Sequence, residues 1–228
     1  MPTSTVENYL KQIYIDQPTD EATMMPMGRL ASAVGVTPGT ATAMIKTMTE
    51  SDLVVYEPRT GVRLSPEGES LALQVLRRHR LVELWLVKIL GLDWSEVHEE
   101  AEVLEHAISD KVLARIDALL GHPTVDPHGD PIPTADGDVV ARAHTSLPRC
   151  ETDQPLRIVR IADQDPEFLT YADQNGLVPG ARLIVERRDR IADAVTIRVG
   201  GHDPITLGTS AAERLLVEPA DGQTTDPR

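Results

Sequence analysis

The sequence predicts an α+β chain made of three folded parts joined in line. Three observations carry this. Two short helical stretches around a Gly break are followed by a β-hairpin pattern. Two longer amphipathic helical patterns come next. After a Pro- and Gly-rich stretch, the period shortens from 3.6 residues to 2.

In the first part, Val6, Tyr9, Leu10, Ile13 and Tyr14 fall at helical spacing within residues 4–17. A short helix fits residues 27–34, and Gly35 ends it as a left-handed C-terminal residue would. Thr37-Pro38 is an N-cap followed by proline at the first helical position. The helix after it sets Ala41, Met44, Ile45 and Met48 on one apolar face. Leu53 to Tyr56, then Arg59-Thr60-Gly61, then Val62-Arg63-Leu64 reads as a hairpin, and Ser65-Pro66 opens another helix. Helix, turn, helix and hairpin in this order is the winged helix-turn-helix arrangement of DNA-binding domains.

Residues 67–90 carry Leu71, Val75, Leu76, Leu81, Leu84, Trp85 and Ile89 as an amphipathic helix ended by Gly91. Asp93-Trp94-Ser95-Glu96 caps a following helix to about Ser109, and Lys111 to Leu120 continues helical. The apolar surface of these helices predicts a dimer interface. From Leu156, short β runs (156–161, 182–187, 195–199 and 214–217) are separated by Asn175-Gly176, Pro179-Gly180 and Gly200-Gly201. They fit a small five-stranded barrel of SH3 type. The boundaries read from these patterns are 1–75 for the winged helix, 76–122 for a helical dimerisation and metal domain, 123–150 for a Pro-rich linker, and 151–220 for the SH3-like barrel. The polar end, 220–228, is expected to be disordered.

Charge bears on the DNA reading. The chain has a net charge of −14, yet residues 1–80 hold 8 Lys/Arg against 9 Asp/Glu, so almost all the excess acid lies beyond them. A near-neutral first domain predicts weak non-specific DNA affinity that needs help from bound cations and dimerisation. The single cysteine, Cys150, excludes an internal disulfide and fits a reducing, cytoplasmic setting. No apolar run reaches membrane-spanning length and no secretory pattern opens the chain.

The chemistry concentrates in the middle helices. On a continuous helix, His98, Glu102, Glu105 and His106 fall within an arc of about 100°. Two imidazoles and two carboxylates on one face repel and desolvate one another unless a cation joins them, and with Mn²⁺, Fe²⁺ or Zn²⁺ they become a coordination shell. His79 and Glu83 are a second i, i+4 pair on the preceding helix. His122, His128, His144 and His202 sit in loop-like contexts and are expected at the surface. For DNA, the helix from Thr37 offers Thr37, Thr40, Thr42 and Lys46 toward bases, and the wing offers Arg59 and Arg63 toward phosphates. No phosphate-binding Gly loop, nucleophile elbow or His-Glu-x-x-His motif occurs. Two other classes compete with a metal-dependent DNA-binding protein. A metalloenzyme would use the same His/Glu cluster but leave the winged-helix order unexplained. A winged-helix regulator of organic-ligand type would leave the His/Glu face merely solvated.

These residues resemble the diphtheria toxin repressor family of iron- and manganese-dependent transcriptional regulators, in its manganese-responsive branch with a C-terminal SH3-like domain. The resemblance rests on Glu7-Asn8-Tyr9-Leu10-Lys11-Gln12-Ile13-Tyr14, Arg78-His79-Arg80-Leu81-Val82-Glu83, Gly91-Leu92-Asp93 and Val97-His98-Glu99-Glu100-Ala101. It continues through Glu105-His106-Ala107-Ile108-Ser109-Asp110 and Pro127-His128-Gly129-Asp130-Pro131-Ile132-Pro133. It implies a cytoplasmic homodimer, not an enzyme, that binds a palindromic operator in double-stranded DNA when loaded with Mn²⁺ or Fe²⁺. Zn²⁺, Co²⁺ and Cd²⁺ are expected to substitute in vitro. The resemblance implies a primary metal site of Asn8, Glu102, Glu105 and His106. It also implies an ancillary site of His79, Glu83 and His98, completed from the SH3-like domain by Asp163, Gln164, Asp165 or Glu167. Iron-responsive members typically have Met and Cys where this chain has Asn8 and Glu102, and manganese-responsive members Asp and Glu. Lys11 stands where some two-domain manganese regulators have a second acidic ligand, which favours two separated sites over a two-metal cluster.

Overall fold

The computed structural model describes residues 2–17, 23–140 and 144–220. The expectation of disorder for the polar end concerns residues that lie, past Ala220, outside these. The chain divides into two compact units. The first comprises residues 1–79, 104–113 and 133–139, and the second residues 80–103, 114–132 and 140–228.

The first unit is the winged helix. Helices α1 (Ser4–Asp16), α2 (Met27–Ala33) and α3 (Pro38–Glu50) precede the hairpin β1 (Val54–Glu57) and β2 (Gly61–Leu64). Thr37 caps α3 as its sequence predicts: its Oγ1 accepts the Thr40 amide at 3.2 Å, with Pro38 at the first position. Tyr9, Leu10 and Ile13 of α1, Leu30 of α2, Ala41, Ile45 and Met48 of α3, and Val54, Val62 and Leu64 of the wing form one core. Residue Met25 bridges to Val62, adding a third short edge to the wing. Gly61 is required there, because a Cβ would strike the Met25 carbonyl and its φ is +147°. Ser65 then closes the wing: its Oγ donates to the Asp52 carbonyl at 2.6 Å and accepts the Gly68 amide at 3.0 Å.

Helix α4 (Pro66–Trp85) is followed by a π-helical turn (Leu86–Leu90) and ends at Gly91, φ +73°. Helices α5 (Val97–Leu104) and α6 (Asp110–Leu119) follow. The helix expected to run to Ser109 therefore stops five residues early. The amides of Ala107 and Ile108 both turn back onto the Leu104 carbonyl, at 3.0 and 3.1 Å, which closes the helix.

In the second unit, a six-stranded antiparallel sheet of SH3-like form runs β3–β8–β4–β5–β6–β7. Its strands are β3 (Thr145–Ser146), β4 (Leu156–Ile161), β5 (Arg182–Asp189), β6 (Ala194–Val199), β7 (Ile205–Gly208) and β8 (Leu215–Pro219). The alternation of buried and open positions along β6 is the period-2 pattern that predicts it. Two helices, α7 (Pro166–Gln174) and α8 (Thr209–Glu213), were not expected. Leu147, Ile158, Ile161, Leu169, Val185, Ile197 and Val217 fill the core under the sheet.

Within 123–140 and 144–150, the stretch read as a Pro-rich linker, several side chains are buried. Asp126, His128, Asp130 and Ile132 of the second unit are buried, and so is Leu147. The prolines here make turns that hold side chains inward, because Val125 bridges to Pro131 and the Asp126 amide donates to the Asp130 carbonyl at 2.9 Å. No helix among the described residues is long and apolar enough to cross a membrane.

Candidate metal centres and DNA-facing surface

The first unit gathers one charged cluster around Glu105, a fully buried carboxylate. Lys11 of α1 donates to both its oxygens, at 2.8 and 3.0 Å. His79 donates through Nδ1 to Glu105 Oε2 at 2.6 Å, since the carboxylate can only accept. Beside them, His106 Nδ1 donates to Glu7 Oε2 at 2.6 Å. That bond leaves His106 Nε2 as the lone-pair nitrogen, and it lies 3.4 Å from Glu105 Oε1. Arg78 reaches Glu7 at 3.7 Å and Asp110 at 3.3 Å.

A divalent cation fits this donor set. His106 Nε2 and Asn8 Oδ1 are both buried atoms without a hydrogen-bond partner, and both are normal ligand atoms for a hard or borderline metal. Manganese, iron or zinc bound here would neutralise carboxylate charge and take up these bare atoms.

Sequence reasoning placed Glu105 and His106 on one helical arc with His98 and Glu102. The structure puts Glu105 and His106 beyond the end of α5, in the first unit, and His98 and Glu102 on α5, in the second. Two residues of the first cluster were not anticipated as contributors. Glu7 orients His106, and Lys11 pairs with Glu105 across 94 residues of sequence. The only advance signal was the unusual lysine itself.

In the second unit, Glu83 of α4 is fully buried. His98 Nδ1 lies 3.4 Å from Glu83 Oε1, and His98 Nε2 lies 3.6 Å from Glu102 Oε1. On Glu83's other side stand Asp126 and His128; one ligand atom from each of the three lies within 4.8 Å of the others. His128 corrects an expectation: it is completely buried, not a surface loop residue, because Gly129 lets the chain lie against strand β4. A Cβ at Gly129 would strike the Val159 carbonyl, and its φ is +88°. Of the other loop histidines, His122 is exposed, pairing with Asp117 at 2.9 Å, His202 is exposed, and His144 is half-buried.

Burial raises the Asp126 carboxyl well above the usual carboxylate range, and the neighbouring charges of Asp130 and Glu83 add to this. Arg80 opposes it, lying 3.7 Å from Asp126 and donating to Asp130 at 3.3 Å. The three acidic candidates before the barrel's helix are placed elsewhere. Asp165 caps α7 by accepting the Glu167 amide at 3.1 Å, Asp163 pairs with Arg214, and Glu167 is exposed on the first turn. Among the described residues, none of the three joins a group of potential ligands.

On the winged helix, Thr40 and Lys46 of α3 and Arg63 of β2 are exposed, as is Arg59 at the hairpin tip with φ +70°. Thr37 is exposed but occupied as a cap, sharing a hydrogen bond with the Thr40 hydroxyl at 2.9 Å. The Thr42 hydroxyl donates to its own helix, to Pro38 O at 2.7 Å.

A winged helix carrying a buried carboxylate–imidazole cluster in its own compact unit defines a DNA-binding regulator with a candidate metal centre. The chain belongs to the iron-dependent repressor family. Residues 1–62 match that family's N-terminal DNA binding domain, and residues 65–134 its metal binding and dimerisation domain. Residues 145–219 match the FeoA domain. The iron-dependent repressor IdeR of Mycobacterium leprae is 31% identical over 227 residues, covering 94% of this chain and 96% of that protein. The diphtheria toxin repressor of Corynebacterium diphtheriae is 31% identical over 231 residues, with the same coverage. A manganese-dependent transcriptional repressor solved in complex with manganese superposes with a TM-score of 0.85 at 39% identity, covering 94% of this chain and 99% of that one. This is a family of DNA-binding repressors and not of enzymes.

Proposed function

We propose that this chain is a cytoplasmic, metal-dependent repressor. Its homodimer, loaded with Mn²⁺ or Fe²⁺, binds a palindromic promoter element and silences genes of metal uptake and homeostasis. One observation carries the reading: α1 of the winged helix is bonded through Glu7 and Lys11 to His106 and Glu105, so the DNA-binding fold and the candidate metal ligands form a single cluster. A cation that orders this cluster orders α1 and the core that α1 shares with α3. A coupling of roughly 1–3 kcal/mol changes DNA affinity about 5–150-fold.

In the first unit the primary ligands are Asn8, Glu105 and His106, and in the second Glu83 and His98 are the nucleus of an ancillary site. Oxygen donors with imidazole and no thiolate favour Mn²⁺ more than a sulfur site does, while Fe²⁺ binds the same set. Thr40 and Lys46 face bases, and Arg59 and Arg63 face phosphates. The exposed Ile89, Leu90, Val103 and Leu119 supply apolar surface for the dimer.

Gel-shift titration on a promoter palindrome tests the reading, with wild type and His106→Ala, each in Mn²⁺ and in chelator. Wild type gains affinity at least several-fold with Mn²⁺, and the variant remains dimeric but loses the gain. Equal wild-type binding in Mn²⁺ and in chelator overturns the reading.

A further inference from the structure

Cations are scarce in the second half of the chain and unevenly spread. Beyond residue 80 there are 14 Lys/Arg against 27 Asp/Glu, and four of the 14 fall between residues 182 and 190. These are Arg182, Arg187 and Arg188 of β5 and Arg190 of the turn that follows it, all exposed. Elsewhere on the sheet, Arg157 is held by Glu218, Arg160 by Asp130, Arg198 by Glu186 and Arg214 by Asp163. Among the described residues, Arg187, Arg188 and Arg190 form no ion pair.

The end of the β5–β6 hairpin is built to present them. The register shifts between Val185 and Arg187, a bulge that re-aims the side chains beyond it. Asp189 turns back on its own turn, where its Oδ1 accepts the Ile191 and Ala192 amides, both at 3.0 Å. The Asp193 carbonyl accepts the Thr209 amide at 3.0 Å, which ties the turn to the start of α8. At the tip Ile191 is 100% exposed, so it serves no core. Residues 187–193 hold three arginines and two aspartates, and the end stays positive.

Unpaired guanidinium groups beside one bare aliphatic side chain suit a polyanion with apolar edges. DNA offers phosphates for the first, and sugar and base edges for the second. A two-stranded ribbon also fits a major groove about 12 Å wide. A single isoleucine is a small apolar payload for a bilayer, where stable attachment takes more. The winged helix leaves room for help, because residues 1–80 carry 8 Lys/Arg against 9 Asp/Glu.

We propose that the β5–β6 hairpin of the SH3-like domain is a second DNA contact, with Arg187, Arg188 and Arg190 on phosphates and Ile191 against the groove wall. It rests on the repressor reading for the presence of DNA and adds a contact outside the winged helix. Two contacts tethered in one chain raise apparent affinity, since the second binds at the effective concentration the tether sets. Phosphate contacts carry no base information, so the hairpin strengthens binding without choosing the sequence.

The test is the salt dependence of promoter-palindrome binding by the full chain in Mn²⁺. Wild type is compared with Arg187→Ser/Arg188→Ser/Arg190→Ser, with Ile191→Ser, and with Arg157→Ser/Arg198→Ser, which removes two arginines already held by carboxylates. Each lost phosphate contact lowers the slope of log affinity against log salt by about 0.9, so the triple variant is expected to lose about 2–3 of slope and roughly 10-fold or more in affinity. Arg190→Ser alone, on the exposed turn, is expected to lose about one. Ile191→Ser is expected to weaken binding several-fold at unchanged slope, and wild-type affinity in this variant strikes Ile191 from the contact. The paired-arginine control is expected to keep the wild-type slope; an equal loss per arginine there means a general field and overturns the contact. An unchanged slope in the triple variant, with the melting temperature of wild type, also overturns it. If that variant then loses binding to phosphatidylglycerol vesicles that wild type binds, the hairpin belongs to a membrane instead. Should wild-type DNA binding depend on Mn²⁺ while the triple variant matches it in slope, this inference fails and the repressor reading stands. Should DNA binding ignore Mn²⁺ in every protein, that reading fails and the slopes still decide the hairpin.

Discussion

The two buried clusters solve the same electrostatic problem differently. In the first unit, Glu105 is fully buried but has a cation from its own chain: the Lys11 ammonium on both oxygens, with the His79 imidazole beside it. In the second, Glu83 and Asp126 are buried together and His128 turns a lone pair toward them. The first cluster is complete as a hydrogen-bonded network before any metal arrives, except at Asn8 Oδ1 and His106 Nε2. In the second, two buried atoms, Asp126 Oδ2 and His128 Nδ1, have no hydrogen bond. The hydrogen-bonded partners of the buried carboxylate therefore come from the chain itself in the first unit, while in the second a raised Asp126 pKa answers the crowding of acids.

The largest expected effect comes from removing the built-in cation. Lys11→Met leaves Glu105 buried without its main partner, and breaking a buried pair from one side costs about 3–5 kcal/mol. Urea unfolding in chelator measures this, and Mn²⁺ is expected to restore part of the loss. A cost below about 1 kcal/mol would show that the ion pair does not hold α1 in place.

The opposite sign is expected in the second cluster. Asp126→Asn removes a strained charge and is expected to stabilise the metal-free protein by roughly 1–3 kcal/mol at neutral pH, the usual scale for an unsatisfied buried group. Burial raises the folded-state pKa of Asp126 above its unfolded value. The folded protein thus keeps this proton to higher pH than the unfolded chain does. Metal-free stability contributed here is full below the unfolded value and falls as pH rises toward the raised one. Melting curves in chelator from pH 4 to 8 should show wild type losing stability relative to Asp126→Asn as pH rises. Parallel curves would remove the tension ascribed to this cluster.

DNA affinity gives a smaller effect and asks whether either cluster matters to the winged helix. Lys46→Ala is expected to weaken binding about 10-fold, and Arg63→Ala to lower the salt slope by about one. Both should act equally in Mn²⁺ and in chelator, because neither residue touches a metal cluster. A variant whose defect vanished in chelator would couple that contact to the metal.

How much of this was legible in the sequence follows from the range of the interactions. The winged helix was readable because its determinants are local: Thr37-Pro38 fixes the start of α3, the spacing of Ala41, Ile45 and Met48 fixes its buried face, and Gly61 fixes the wing. Strand β4 was readable from its alternation. Helix α7 was missed although Asp165-Pro166 is a cap signal, because a β pattern surrounds it. The metal-ligand types were legible, but the end of the helix that carries some of them was not. A continuous helix through Glu105 and His106 was assumed, whereas α5 closes at Leu104 through its own carbonyl. His128 looked like a surface residue because prolines and a glycine surround it. Those same residues make the tight turn that buries it against β4. Lys11 with Glu105 is a tertiary pairing that no local pattern encodes.

The smallest expected effect concerns metal choice at Asn8, which carries one of the two open atoms of the first cluster. Asn8 Oδ1 is a buried oxygen without a hydrogen-bond partner, on the same helix as Glu7 and Lys11. As an amide it gives a cation a neutral, hard donor. Replacing it by Met substitutes a soft thioether, which favours later and softer metals, and Mn²⁺ gains least from sulfur. Because Lys11 already offsets Glu105, the change is expected to alter one ligand without collapsing the cluster, so the effect stays modest. Asn8→Met should shift the ratio of Mn²⁺ to Fe²⁺ midpoints for DNA binding toward Fe²⁺ by about 3–10-fold, which is under about 1.4 kcal/mol of differential affinity. Anaerobic titrations against buffered free metal measure both midpoints. Asn8→Asp is the control with the opposite expectation, since an anionic oxygen strengthens Mn²⁺ binding. If neither variant changes the ratio, Asn8 is not a ligand. The bare oxygen on α1 would then be a consequence of helix packing, and selectivity would have to be sought in the second unit, where Asp126 and His128 face Glu83.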